Sequence, residues 1–229
     1  TCHIIVRGRV RVLLVGADGR ELAVRILGPG EIIGEMALLG DANSVPLLTE
    51  IAATADGRSR DLARVALTRM RGQDVNVALV YRMGNAPVPA YRAEVARALG
   101  ERLASRATPA LVEAASDNAP EVRIAALDAL AAVAPPEALP GIVAVLVAAQ
   151  DAETRNAAEN AAIRVSQRAD DTAEPANVVT EAFGRTGTGI PARAALLRVL
   201  GQQGCETALP TVINAAGSRD AEVRGTALR

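Results

Sequence analysis

One motif, an arginine leading a run of small and apolar residues, recurs along this chain at nearly constant spacing. Arg60 opens RDLARVAL, Arg92 RAEVARAL, Arg123 RIAALDAL, Arg155 RNAAENAA, Arg193 RAALLRVL and Arg224 RGTAL. The intervals are 32, 31, 32, 38 and 31 residues. A proline marker runs in phase with it. Pro46, Pro109 and Pro210 lie 14 residues before their arginines, Pro140 lies 15 before and Pro175 lies 18 before. The Arg92 segment alone lacks the proline and has Ala78 in its place. Proline suits the first turn of a helix, and the apolar residues follow at helical spacing. A period of this length predicts a solenoid of helix pairs, each burying its apolar face against the next. Architecture by itself names no activity.

Composition narrows the chemistry. Half of the 229 residues are hydrophobic, yet the only aromatics are Tyr81, Tyr91 and Phe183. An Ala/Leu/Val/Ile core suits closely packed helices and offers little for stacking nucleobases. The net charge of −1 gives no bulk attraction to nucleic acid or to an anionic membrane. All 25 basic residues are arginine, so no lysine Schiff base and no phosphate-loop lysine can form. Cys2 and Cys205 are too few and too far apart for a disulfide framework, which predicts a cytoplasmic protein. The longest apolar run, residues 138–149, contains Pro140 and is too short to span a bilayer. The chain opens inside an apolar pattern and stops inside a helical one, so it is expected to be part of a longer polypeptide.

The pattern divides the chain into two regions, 1–43 and 44–229. In the second, helix pairs are predicted at 45–55 with 59–71, 74–83 with 90–103, and 108–116 with 120–133. Three more follow at 136–149 with 152–168, 175–183 with 191–202, and 207–216 with 221 onward. The first region differs in kind. HIIVRGRVRVLLV, residues 3–15, is rich in β-branched residues and predicts a strand. Ala17-Asp18-Gly19-Arg20 is a hairpin turn signal, residues 21–27 form the return strand, and Gly28-Pro29-Gly30 is a tight turn.

The string IVRGRVRVLLVGADGRELAVRILGPGEIIGEMALL resembles the middle of a cyclic-nucleotide-binding domain, whose hairpin belongs to a β-roll. The resemblance implies a phosphate-binding turn over Gly34, Glu35, Met36, Ala37 and Leu38. Backbone N–H groups of Gly34 and Ala37 would face an anion at a helix start, and Glu35 would accept a hydrogen bond from a ribose 2′-hydroxyl. The family pairs the cyclic phosphate with an arginine about nine residues after that glutamate. Here the place falls at Ser44, and no arginine occurs between Arg25 and Arg58. The expectation is therefore a partial β-roll that packs without a cofactor, with cyclic-nucleotide binding as the alternative.

The helical region resembles HEAT repeats of the short bacterial kind. DNAPEVRIAALDAL from Asp117 and DAEVRGTAL from Asp220 carry the EVRxxAxxAL pattern, and ALP at Ala138 and Ala208 matches a first helix. The resemblance implies a mainly α fold: an α-solenoid of five to six HEAT-like helix pairs after a small β-roll fragment. Second helices would line its concave face. It also implies that the column Arg60, Arg92, Arg123, Arg155, Arg193 and Arg224 ties adjacent repeats together, with binding of an acidic partner as the lesser reading. Asp56, Asp151 and Asp220, each four residues before an arginine, could cap helices and pair with it.

No catalytic constellation emerges. His3 is the only histidine and has no metal-ligand partners at ligating spacing. Gly184-Arg185-Thr186-Gly187-Thr188-Gly189 lacks the Lys-Ser/Thr ending of a phosphate loop and reads as a lengthened turn. Glu94, Asp128, Glu159 and Glu181 read as solvated faces. The expected function is a non-catalytic scaffold that docks another protein or another domain of the same chain, without nucleic-acid binding or membrane insertion. A nucleotide-responsive regulatory module is the alternative, and a chromophore-lyase activity ranks third.

Overall fold

The structure, a computed structural model, describes residues 3–15, 21–30, 32–33, 41–170, 173–185 and 187–229. Its N-terminal part is β. Strand β1 (His3–Ile4) pairs antiparallel with β4 (Ile32–Ile33), and β2 (Val10–Val15) pairs antiparallel with β3 (Glu21–Leu27). The single strand expected over 3–15 is two strands. Gly8 at φ +87 sits between them in a conformation that only glycine adopts freely, and the chain bends there. The β2–β3 register slips between Val12 and Leu13, because Val12 faces Arg25 while Leu13 faces Ala23. One extra residue on β3 makes this a bulge, which adds local twist. Pro29 and Gly30, the latter at φ +86, turn the chain toward β4, and the Gly30 N–H donates to the Ile5 carbonyl. The hairpin turn at 17–20 lies outside the described residues.

The rest is helical. The pairs are α1 (Val45–Thr54) with α2 (Gly57–Arg69), α3 (Gln73–Asn85) with α4 (Pro89–Glu101), and α5 (Thr108–Ala114) with α6 (Pro120–Val133). Then come α7 (Leu139–Ala148) with α8 (Ala152–Ser166), α9 (Ala173–Gly184) with α10 (Ile190–Gln203), and α11 (Leu209–Ala216) with α12 (Ala221–Ala227). The proline marker explains how the first helices begin. Pro46, Pro109, Pro140 and Pro210 each stand in the first turn, where a missing N–H costs nothing. Each of these helices is entered through a three-residue 3-10 turn, at Ala42–Ser44, Ser105–Ala107, Pro136–Ala138 and Glu206–Ala208. Helix α3, without the proline, starts instead from Gly72 at φ +115.

Second helices stack on one another from α2 through α4, α6, α8 and α10 to α12, and first helices form the other layer. This is the α-solenoid predicted by the period. One apolar cluster runs without a break from Val45 to Ala208, with Leu67, Leu99, Leu127, Leu130 and Leu196 fully buried. Small residues, Gly100 and Ala129, stand where α4 and α6 approach each other. At Gly100 a Cβ would lie 2.9 Å from the Ala129 Cα, so α4 and α6 meet backbone to backbone. No described helix is long and apolar enough to cross a membrane.

Candidate functional site: the arginine columns

Each of the six column arginines is the fourth residue of its second helix. From that position four of the side chains reach back over the turn that joins the two helices of their own repeat. Arg92 donates to the Ala86 carbonyl at 2.8 Å, Arg123 to Asp117 O at 3.0 Å, Arg155 to Ala149 O at 2.8 Å and Arg224 to Ser218 O at 2.8 Å. Every acceptor lies six residues back, at the C-terminal side of the first helix, where carbonyls lack helical partners. The arginine is the cap that the short first helix cannot supply itself.

Two arginines also reach forward into the next repeat. Arg92 grips Asp117 with Nε at 2.8 Å and Nη2 at 2.9 Å, and Arg123 reaches Asp151 at 2.7 Å and Thr154 Oγ1 at 3.0 Å. Paired, planar contacts of this kind are the strong class of charge-assisted hydrogen bond. The Arg92 guanidinium holds the Asp117 carboxyl below its usual range, and Asp117 in turn raises the Arg92 pKa. The Asp151 carboxyl is brought down to about 2, first by the Thr154 N–H and then by the Thr154 hydroxyl and Arg123. Asp151 therefore bridges to the preceding repeat. The four-apart pairings expected from the sequence do not form. Asp151 and Asp220 turn to the N–H groups of their own first turns, while Arg155 and Arg224 turn back to carbonyls. Arg193 lies over the Phe183 ring at 5.6 Å, and the Nε atoms of Arg60, Arg155 and Arg193 are buried without a hydrogen-bond partner.

Because the folded-state pKa values of Asp117 and Asp151 are depressed, their ion pairs contribute fully above about pH 5. That contribution is lost as pH falls toward 2. The melting temperature of wild type is expected to drop across that window, and less so in Asp151→Asn, whose side chain still caps α8. Melting curves at pH 7, 5, 3 and 2 measure this. An equal acid-induced drop in both proteins would remove Asp151 from the account.

A second set of polar ties was not visible in the sequence. Glu94, expected on a solvated face, is only 7 % exposed. Arg64 of α2 binds it with both nitrogens, at 2.8 and 2.5 Å, and Arg97 adds a third contact at 2.6 Å. The stacking of α2 on α4 brings Arg64 over it, and that contact raises the Arg64 pKa. Glu159 is likewise held across helices, by Arg198 of α10 at 2.7 Å. Arg102 follows α4 and donates to Leu67 O, Thr68 O and Met70 O at the end of α2. Arg168 does the same for Ala131, Ala132 and Ala134 at the end of α6. Gln203 reaches Ser166 at the end of α8. The far ends of α2 and α6 are thus capped by the repeat that follows. The weak signal for this is that Arg102 and Gln203 each stand ten residues after a column arginine.

Of the stretch 184–189, residue 186 lies outside the described residues. Thr188 Oγ1 donates to Ala182 O and its N–H to Arg185 O, which makes it a turn between α9 and α10. The sequence-predicted nucleotide residues Gly34, Glu35, Met36, Ala37 and Leu38 lie outside the described residues. Ser44, where the resemblance would place the phosphate-binding arginine, is described. Its hydroxyl lies 3.4 Å from the Asp41 carboxylate in a capping box. A short hydroxyl beside a carboxylate does not fit a cyclic phosphate.

Residues 76–163 match the family described as HEAT repeats. Residues 1–71 match the cyclic nucleotide-binding domain, so that match extends through α1 and α2. The helical repeats are similar in fold to a chain in the complex of CpcE and CpcF of phycocyanin lyase from Nostoc sp. PCC7120. The TM-score is 0.51 at 22% identity, over 69% of this chain and 99% of that one. An engineered protein matches with a TM-score of 0.45 at 20% identity, covering 81% of this chain and 94% of that chain. A designed armadillo repeat protein in complex with the peptide (KR)4 matches at 0.36 and 17% identity, covering 80% and 96%. No curated protein matches the chain.

Proposed function

We propose that the solenoid is a non-catalytic scaffold on which another protein, or another domain of the same polypeptide, docks. The observation that carries this reading is the pairing of one unbroken core with a surface that keeps large apolar side chains in solvent. Leu47, Val77, Tyr81 and Ile213 on first helices, and Leu103 just after α4, are all more than half exposed. A rigid surface with scattered apolar anchors is what a docking partner uses, and tyrosine is favoured in such places. The chain has three aromatics, and Tyr81 is 70% exposed. Affinity capture with a photo-crosslinking residue in place of Tyr81 or Leu103 tests the reading. One protein cross-linked reproducibly in a position-dependent manner supports it. The same background at every position would sink it.

The match of residues 1–71 favours a second reading, a module whose N-terminal part responds to a cyclic nucleotide. Isothermal titration with cyclic AMP and cyclic GMP, beside Glu35→Ala, decides between them. Micromolar binding abolished by the substitution would support the second reading. Heat from neither nucleotide would leave the β region as a packing element.

A further inference from the structure

Leu103 is the one non-glycine residue at positive φ among the described residues, at +52. It follows α4 where Gly204, at φ +62, follows α10. Both are then followed by a residue and a 3-10 turn, so the two places are equivalent in the repeat. The fold accepts glycine there without strain, and a leucine there is strained. It is also 69% exposed, so burial does not compensate for the strain. Strain retained at an exposed apolar residue points to a use outside the folded chain.

Its surroundings define that use. Leu103 borders a groove of about 370 Å³ between α4 and α6, floored by Gly100, Ala125 and Ala129 and rimmed by Arg97, Glu101 and Asp128. It also borders the adjoining hollow at Gly72, Asn76, Ser105 and Arg106. Arg97 shares Glu94 with Arg64, and the rim sets two carboxylates, Glu101 and Asp128, against that one guanidinium, which leaves it net acidic. The small floor residues let a helix approach closely, and the acidic rim selects for positive charge beside its apolar side.

We propose that Leu103 is the anchor of a docking groove for a basic amphipathic helix of a partner protein. The occupant's apolar side chain lies on the Gly100–Ala129 floor against Leu103, and its arginine or lysine residues meet Glu101 and Asp128. This rests on the docking reading above and names the partner's chemistry.

The test uses the full chain and two fluorescein-labelled helical peptides of about fourteen residues with leucines at i, i+4 and i+7. One carries arginines on its flanks and the other glutamates. Leu103→Gly is expected to raise the melting temperature by about 2–4 °C. It should also weaken binding of the basic peptide about tenfold or more, as should Asp128→Arg. A side chain that only supported the fold would move stability and binding together. Equal binding by wild type and Leu103→Gly, equal binding of both peptides, or binding of neither would overturn the proposal. So would a melting temperature that falls in Leu103→Gly. If the cross-linked partner of the preceding section is still captured in those cases, the docking reading stands and only this groove is wrong. If no partner is captured at any position, the docking reading fails first.

Discussion

Gly100→Ala is expected to destabilise the protein by about 1–3 kcal/mol, although alanine is the better helix former by about 1 kcal/mol. The new Cβ would lie 2.9 Å from the Ala129 Cα and 3.0 Å from its Cβ. Neither atom can rotate away, so α4 and α6 must separate along their whole contact. The internal control is Gly201, which holds the same place in α10, with Arg198 three residues before it as Arg97 precedes Gly100. A Cβ at Gly201 meets nothing within 4 Å. Gly201→Ala should therefore be neutral or stabilising by up to about 1 kcal/mol. Chemical denaturation of the two variants beside wild type measures both signs. If both substitutions stabilise, the close approach of α4 and α6 is not as described.

Leu130→Ala carries the other large effect. Leu130 is fully buried in the last turn of α6, which packs on α4, α5 and α8. Truncation at such a site costs about 2–5 kcal/mol. In a stack where each repeat touches only its neighbours, a weakened middle repeat also divides the unfolding transition. The expected denaturation curve has two steps, or one step with a reduced m-value. A single transition with an unchanged m-value and a loss well under 1 kcal/mol would show that α6 does not couple the two halves of the stack.

The helical architecture was legible because period and proline phase are local signals. All six column arginines fall at the same helix position, and the helix ends lie within about three residues of those predicted. The single strand predicted over 3–15 failed on one residue, Gly8, whose positive φ cannot be read from an alternating pattern. The ties between repeats were not legible. Arg64 and Glu94 are 30 residues apart, and Arg102 lies 32 to 35 residues from the carbonyls it caps. Their meeting depends on the angle and height at which α2 stacks on α4, which no window of sequence contains. Glu94 sits among alanines and valine, AEVARAL, and only the neighbouring helix makes it a buried carboxylate. The strain at Leu103 was hidden for a related reason. A leucine near a helix end is unremarkable in sequence, and only the positive φ makes it a question.

The forward reach of Arg92 and Arg123 makes the joints between repeats directional, like a plug meeting a socket. The repeat formed by α5 and α6 owns both halves: Asp117 receives Arg92, and Arg123 enters Asp151. A tandem copy of that repeat would find its own counterpart on either side, so the chain can lengthen there without a new joint being invented. The repeat formed by α7 and α8 has the socket, Asp151, while its Arg155 caps only its own turn. Growth at that point would leave a socket with no plug to fill it. The joints therefore mark where duplication is tolerated, and the length of such a protein is written into which repeats carry both halves.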